Sequence, residues 1–189
     1  MFSKSVFMYT AMLDNDLEIL EEMVTNQGKT LRSLSFQSPV MLVFLRHFGC
    51  VFCKEALDEI SQKRDSIEKT GVRIVFVHMS DDITANEYFS RFHLNDVTFV
   101  CDPNQRFYAA FGLQRGSFNQ LFGLQVWMRG FKIQNEKGYN LEMAKRLGDS
   151  FQMPGVFILH EGQIKEKFIH QHAAERPDYE QLVQCCVMS

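Results

Sequence analysis

Hydrophobic and polar positions alternate along the chain in a way that predicts strands separated by helices. A continuous apolar run at 38–46, SPVMLVFLR, has the length of a central strand covered on both faces. Two further strands are predicted at 71–80 and 97–102, the first of them rich in Val and Ile. Apolar residues recur at helical spacing in three segments, which are 14–28, 53–69 and 84–92. Because the strands are separated by helices, we expect them to run parallel in one sheet.

The rest of the regular pattern comprises a turn, a hairpin and two helices. The Pro and Asn of residues 102–105 predict a turn, and a short helix follows at 107–111. Two strands are predicted within 155–170, joined by a tight turn at Glu161–Gly162. A closing helix is predicted at 177–186, with Pro near its first turn. The hairpin would add antiparallel strands to one edge of the sheet.

The segment 115–150 has a weaker pattern. Its aromatic residues are spaced approximately for a helix, but Gly123, Gly130 and Gly138 interrupt them. We interpret it as a helical insertion in a single domain of residues 1–189, with a helical extension at 1–28. The aromatic side chains favour packing against the domain, and the alternative is a groove for a substrate or partner.

Composition narrows the class of protein. The chain has 189 residues, 46% of them hydrophobic, which is enough for one packed core. The net charge of −3 provides no basic surplus for nucleic acid or an anionic membrane, so neither is expected as a partner. No apolar run approaches the roughly 20 residues of a membrane span. Five cysteines are an odd count for a disulfide scaffold, and we therefore expect an intracellular, cytoplasmic protein.

Two of the cysteines lie where a reactive thiol is expected. Cys50 follows the first predicted strand, and Cys53 falls in the first turn of the next helix. The first N–H groups of a helix carry partial positive charge, so a thiolate placed there is stabilised. Arg46 and His47 are near enough in sequence to add positive potential. The second cysteine, one turn away, is placed to attack a sulfenic acid or mixed disulfide on the first.

Three interpretations of this pair compete, namely a redox pair, half of a zinc site and two buried structural thiols. The position of the two cysteines, where a predicted strand gives way to a predicted helix, favours a redox pair. A zinc site needs two more ligands, and Cys101 with the adjacent Cys185 and Cys186 forms no second ligand pair. Cys101 is expected to be a core thiol, and the C-terminal pair to be incidental or regulatory. No cofactor and no metal are expected.

Three segments carry a family resemblance, VMLVFLRHFGCVFCKEAL, VTFVCDPNQRFYAAFGL and LGDSFQMPGVFILHEGQIKEKFIHQHAAERPDYEQL. In this order they resemble the peroxiredoxin-like branch of the alkyl hydroperoxide reductase/thiol-specific antioxidant superfamily, over roughly residues 28–183. The loop from Arg46 to Cys53 is similar to the R-x-x-x-C-x-x-C form of that branch. The resemblance implies a thioredoxin-like α/β fold, a mixed sheet flanked by helices. It also implies thiol-dependent reduction of peroxides or disulfides, with electrons from a thioredoxin- or glutathione-type thiol. A homodimer is compatible with the resemblance and is left open.

The resemblance also assigns roles to residues of this chain. Cys50 is expected to be the nucleophile and Cys53 the thiol that resolves it to an intramolecular disulfide. Pro154 is expected to follow a cis peptide bond and to form the opposite wall of the site, and the alternative is an ordinary trans proline that opens a strand. The Pro and Thr/Ser that precede the cysteine of true peroxiredoxins are absent, as is their later Arg, whose place is taken by Pro154 and Gly155. Arg46 is the candidate to replace their positive charge.

A second hypothesis belongs to a different class of function. The chain would then be a non-catalytic binding or scaffold protein, or a redox sensor, that binds a partner through the aromatic insertion.

Overall fold

The computed structural model describes residues 17–142 and 147–186. Its strands are β1 (Val40–Phe44), β2 (Arg73–His78), β3 (Thr98–Cys101), β4 (Gly155–His160) and β5 (Gln163–Ile169). Its helices are α1 (Leu31–Gln37), α2 (Val51–Glu68), α3 (Asp82–Arg91), α4 (Arg106–Ala110), α5 (Phe118–Phe122), α6 (Leu124–Lys137) and α7 (Tyr179–Val183). Residues 17–22 are also helical, and α7 continues into a 3₁₀ turn at Gln184–Cys186.

The five strands form one mixed sheet in the order β3-β2-β1-β4-β5. The strands β1, β2 and β3 run parallel, and β4 and β5 add an antiparallel edge. The predicted α/β class, with a mixed sheet flanked by helices and closed by a hairpin, is therefore confirmed. The turn of that hairpin lies at Glu161 and Gly162, with φ of 53° and 72°, as the sequence predicted.

Every residue of β1 is buried, because helices cover both faces of the sheet. Side chains alternate between the faces of a strand, so Met41 and Val43 pack on one side, in the core that α2 shares. Leu42 and Phe44 pack on the other side, in a second core with α1 and α4. The carboxyl end of this central strand is therefore surrounded by packed structure, and α2 begins close to it.

The N-terminal helix predicted at 14–28 differs from the structure, in which the helical residues end at 22. The following residues make a turn instead, with Val24 bridged to Thr30 and Gly28 at φ +74°. Asn26 docks on the edge strand β3, because its side-chain oxygen accepts the Phe99 N–H at 2.9 Å. This tertiary contact replaces the last helical turns. Residues 14–16 of the prediction lie outside the described residues.

The insertion contains the two helices α5 and α6. Gly123 separates them, because its ψ of 163° lies outside the helical region. A Cβ at this position would lie 2.4 Å from the Asn119 carbonyl oxygen. Gly138 ends α6 in the left-handed conformation. Gly130 lies inside α6, so the expectation that it interrupts a helix is wrong. In the described ranges, no helix combines the length and the apolar character needed to cross a membrane.

Candidate active site

The chain places both cysteines of the C-x-x-C loop at the start of α2. After β1 ends at Phe44, residues 45–49 form a short loop, and Cys50 is the N-cap residue of the helix. Cys53 follows in the first turn, and both side chains are buried. The predicted location of the two thiols, at a change from strand to helix, is confirmed.

Arg46 contacts both sulfurs from the loop before them. Its Nη1 lies 3.2 Å from Cys50 Sγ, and its backbone N–H donates to Cys53 Sγ at 3.2 Å. The guanidinium is held by the Ser150 carbonyl, which accepts from Nε at 2.9 Å and also from Nη2. Only 4% of Arg46 is exposed, so this cation acts on the thiols with little screening by water.

The two thiols have opposite pKa shifts. A hydrogen bond from the Cys53 thiol lowers the pKa of Cys50 well below its usual range, helped by the positive charges of Arg46 and His47 and opposed by burial. The same hydrogen bond raises the pKa of Cys53, and burial adds to the rise. Cys50 is therefore the thiol that ionises first, and Cys53 is the thiol that keeps its proton.

The loop that carries Cys50 is packed against a distant segment. Gly49 lies so close to it that a Cβ at this position would be 1.9 Å from the Glu142 carbonyl oxygen. The Gly49 carbonyl accepts the Glu142 N–H at 2.9 Å. Lys54, beside Cys53, donates to the Glu142 carboxylate at 2.5 Å and to the Asn140 carbonyl at 2.6 Å. The end of the insertion is thus attached to the start of α2.

Pro154 lies on the Cys53 side of the site. It lines a small cavity together with Cys53, Arg46 and His170. No cis peptide bond occurs among the residues that the structure describes, so the expectation of a cis bond before Pro154 is wrong. Nothing in the residues around Met153 and Pro154 required it, and trans is the more stable isomer of a bond before proline.

A groove of about 240 Å³ lies on the other side, above Cys50. Cys50 and Arg46 line it, and so do residues of α6. The apolar side chains that line it include Val51, Phe52, Phe122, Trp127, Phe131 and Leu141. We call this feature the apolar groove. The sequence favoured packing for the aromatic residues of the insertion, yet Trp127 is 66% exposed and Phe131 57% exposed. They stack on each other, with ring centroids 6.0 Å apart.

The remaining cysteines lie elsewhere. Cys101 is partly buried at the end of β3, and its thiol donates to the Ser80 carbonyl at 3.0 Å. Cys185 and Cys186 have their sulfurs 3.6 Å apart near the C-terminus. All five cysteines fall within the described residues, and none of them is in a disulfide. In the same part of the chain, no group of three or more His, Cys, Asp or Glu side chains is arranged to hold a metal ion.

Sequence reasoning identified Cys50, Cys53 and Arg46, which the structure brings together. It missed the Ser150 carbonyl and Glu142, which hold Arg46 and the loop. Ser150 acts through its backbone, so its side chain carries no signal of this contact. Glu142 lies in a segment with several other charged residues, so its sequence context does not single it out as the partner of Lys54.

Comparison with known sequences gives one family and one curated relative. A family model described as AhpC/TSA antioxidant enzyme matches residues 59–174, a range that begins after Cys53. The chain is 22% identical over 154 residues to "Thioredoxin-like protein AAED1, chloroplastic" of Arabidopsis thaliana. That match covers 77% of this chain and 61% of the relative, so the chain spans about three fifths of the relative's length.

Solved structures resemble the fold as a whole. Peroxiredoxin Q of Xanthomonas campestris superimposes with a TM-score of 0.60 and 14% sequence identity, covering 90% of this chain and 92% of that one. A mutant of peroxiredoxin 6 of Arenicola marina has a TM-score of 0.58 and 12% identity, covering 85% of this chain and 66% of that one. These similarities confirm the predicted thioredoxin-like fold of the peroxiredoxin type.

Proposed function

The chain belongs to the AhpC/TSA antioxidant enzyme family, and from this premise we propose that it is a thiol-dependent oxidoreductase that reduces peroxides or disulfides through Cys50 and Cys53. The observation that carries the proposal is the placement of Arg46 against both sulfurs, with Cys50 as the thiol of lower pKa. A buried thiolate beside a fixed cation is a nucleophile prepared for attack.

With a peroxide, the reaction proceeds in two steps at these cysteines. The Cys50 thiolate attacks one oxygen of the O–O bond, so that an S–O bond forms, the O–O bond breaks and the leaving oxygen takes a proton to become an alcohol or water. Cys53 then attacks the sulfenic acid sulfur, which forms the Cys50–Cys53 disulfide and releases water. A thioredoxin- or glutathione-type thiol supplies the two electrons that restore both thiols.

Arg46 and Pro154 have supporting roles in this mechanism. The guanidinium, 3.2 Å from Cys50 Sγ, stabilises the thiolate and the negative charge that develops on the leaving oxygen. It thereby replaces the positive charge that the chain lacks at Pro154 and Gly155. Pro154 forms part of the wall on the Cys53 side, where it lines the same small cavity as the resolving thiol.

Two structural neighbours support the classes of substrate and reductant. The name of one structure, which covers 90% of this chain at 15% identity, refers to the alkyl peroxide reduction activity of a Xanthomonas campestris bacterioferritin comigratory protein. Another concerns thiol resolution in a yeast mitochondrial 1-Cys peroxiredoxin via glutathione/thioredoxin systems. We propose the same classes of substrate and reductant for this chain. Its cytoplasmic location stays a prediction.

The test follows the cysteines of the full chain by mass spectrometry after one equivalent of peroxide or of a model disulfide. We expect the wild type to form a Cys50–Cys53 disulfide, the Cys53→Ser variant to accumulate a sulfenic acid or mixed disulfide at Cys50, and the Cys50→Ser variant to be inert. Cys101→Ser is the matched control, because it removes a partly buried thiol that does not line the groove. Full activity in Cys50→Ser would contradict the mechanism.

The exposed aromatic face of α6 favours the second candidate, a binding or scaffold protein or redox sensor. Steady turnover separates the two functions. An oxidoreductase consumes many equivalents of peroxide or disulfide when a thiol reductant is supplied, whereas a sensor or scaffold stops after at most one.

A further inference from the structure

A small cavity on the Cys53 side of the site is lined by two residues whose buried polar atoms lack partners. Its volume is about 20 Å³, and its lining includes Cys53, His170 and Arg176. Across residues 17–142 and 147–186, neither His170 Nδ1 nor Arg176 Nε has a hydrogen-bond partner, although both atoms are buried. Leaving such groups unsatisfied costs free energy, so buried polar atoms nearly always have a partner, often a water. A water needs about 10–15 Å³, which this cavity provides.

His170 offers a hydrogen-bond acceptor at this cavity. It lies directly after β5, and only 6% of it is exposed. The Pro154 carbonyl accepts a hydrogen bond from the ring, and since Nδ1 has no partner in the described ranges, Nε2 is the donor. Burial lowers the pKa of His170 to about 3, helped by the charge of Arg176, so the ring is neutral at physiological pH. A neutral imidazole that donates through Nε2 accepts through Nδ1.

Arg176 offers the complementary donor. Its Nη2 pairs with the Glu55 carboxylate of α2 at 2.7 Å and also donates to the Phe52 carbonyl. Its Nη1 donates to the Glu175 carbonyl at 2.9 Å. These contacts fix the guanidinium between α2 and the loop before α7. Among the residues that the structure describes, they leave Nε–H, a donor that keeps its proton at every ordinary pH, without an acceptor.

We infer that a water molecule in this cavity accepts from Arg176 Nε and donates to both His170 Nδ1 and Cys53 Sγ, so that the two residues position the resolving thiol. The inference rests on the proposed function and deepens its second step. A buried water typically makes about three hydrogen bonds, and this arrangement supplies three. It also gives each of the two buried side-chain atoms its partner.

The water acts when Cys53 attacks the sulfenic acid on Cys50. The S–S bond forms while the Cys53 S–H bond and the S–O bond of the sulfenic acid break. The proton from Cys53 goes to the leaving hydroxide, so one water is released. Negative charge develops on the Cys53 sulfur as its proton leaves. The Arg46 N–H, 3.2 Å away, stabilises this charge from the loop, and the bound water stabilises it from the cavity.

Two substitutions of His170 separate this role from support of Pro154. An Asn amide oxygen lies close to the position of Nδ1, so His170→Asn keeps the acceptor for the water and loses the contact with Pro154. A Gln amide nitrogen lies close to the position of Nε2, so His170→Gln keeps the contact with Pro154 and loses the acceptor. The inference predicts that the Gln variant is the impaired one, and a structural role predicts that the Asn variant is.

The kinetic experiment treats the reduced full chain with one equivalent of hydrogen peroxide. Rapid quenching, thiol alkylation and mass spectrometry follow the sulfenic acid on Cys50 and the disulfide separately. We expect His170→Gln and Arg176→Lys to slow disulfide formation about tenfold or more, because a hydrogen bond to a charged sulfur is lost. Oxidation of Cys50 should be little changed, since neither residue lines the apolar groove. A Gln variant that forms the disulfide like the wild type, beside a slow His170→Asn, would overturn the inference.

Arg129→Lys is the matched control for Arg176→Lys. Arg129 pairs with the same Glu55 carboxylate, at 3.2 Å, but it does not line the cavity. Its rate of disulfide formation should equal that of the wild type. Equal slowing in the two lysine variants would assign the effect to the ion pairs of Glu55 and overturn the role given to Arg176.

A crystal structure of the reduced wild-type chain tests the water without any substitution. We expect one ordered water within hydrogen-bond distance of His170 Nδ1, Arg176 Nε and Cys53 Sγ. A cavity without electron density, or a water that does not contact Cys53, would overturn the inference whatever the kinetics of the variants.

The outcomes distinguish this inference from the proposed function. If the wild type forms no Cys50–Cys53 disulfide with peroxide or with a model disulfide, the proposed function is wrong and the inferred step is wrong with it. If the disulfide forms at one rate in the wild type and in every His170 and Arg176 variant, the proposed function stands and the inference alone is wrong.

Discussion

Replacing Arg46 by Gln tests the electrostatic basis of the site. The substitution keeps an N–H donor at about the position of Arg46 Nε, which donates to the Ser150 carbonyl, but it removes the positive charge beside Cys50. We expect oxidation of Cys50 to slow, because the thiolate and the leaving oxygen both lose their stabilising cation. The fold should persist, since the hydrogen bond to Ser150 is retained.

The magnitude follows from the distance. At 3.2 Å and an effective dielectric constant of about 20, two unit charges interact by about 5 kcal/mol, an upper value because the guanidinium charge is spread over several atoms. Removal of a single preorganised donor from an active site typically costs about 2.7–4 kcal/mol, or about 100- to 1000-fold in rate. We therefore expect the rate constant at pH 7 to fall at least about 100-fold.

The pH dependence supplies a second readout. The charge of Arg46 lowers the pKa of Cys50, so its removal shifts the appearance of the thiolate to higher pH. The loss in rate should consequently be smaller at pH 9 than at pH 7. Stopped-flow oxidation by hydrogen peroxide across this range measures both effects.

Arg115→Gln is the matched control for this experiment. Arg115 is an exposed arginine that pairs with Asp149 at 2.9 Å, next to Ser150, so the same change in net charge occurs close to the site without touching Cys50. Its rate constant should stay within about twofold of the wild type, because exposed ion pairs contribute little. If Arg46→Gln also stays within about threefold, and its pH profile is unchanged, the electrostatic reasoning is refuted.

Three further substitutions test packing and burial. Burial lowers the pKa of His78 to about 4, so between about pH 6.5 and pH 4 the unfolded chain binds a proton that the folded chain does not. The free energy of unfolding therefore falls by about 1.4 kcal/mol for each pH unit as the pH drops from about 6.5 to 4. In His78→Phe, urea unfolding measured across this pH range should show a dependence on pH that is weaker by that amount. Gly130→Ala should raise the free energy of unfolding by about 0.5–1 kcal/mol, since the new Cβ would lie at an ordinary 3.6 Å from Phe52; a decrease would contradict the observed packing. Tyr108→Phe should lower it by about 1–3 kcal/mol in thermal or urea unfolding, because the hydroxyl that lies 2.5 Å from the buried Leu45 carbonyl is lost.

The location of the two cysteines was predictable because its causes are local. An apolar strand followed by a helical pattern determines where the helix begins, and Cys50 and Cys53 lie at that boundary. The contacts of Arg46 were not predictable, since Ser150 is 104 residues away and contributes a backbone carbonyl that any residue could provide. The same holds for Gly49 and Glu142, which meet only once the insertion has folded.

The spacing of apolar residues also cannot show whether the apolar face of a helix packs against the core or lines an open groove. The spacing of Trp127 and Phe131 predicts a helix in either case, and only the structure shows that this face lines an open groove. The N-terminal extension illustrates the opposite effect. Its pattern predicts a helix through residue 28, but the docking of Asn26 on β3 stabilises a turn instead.

The contact between Gly49 and Glu142 limits how this protein can be redesigned. Since the Glu142 carbonyl occupies the space of a side chain at position 49, the C-x-x-C loop and the end of the insertion have complementary shapes. A loop transplanted alone into another thioredoxin-like scaffold would keep its cysteines but lose the surface that shapes it. Shortening the insertion would likewise leave the loop without its support. The two segments form one exchangeable unit, which has to be moved, swapped or randomised together.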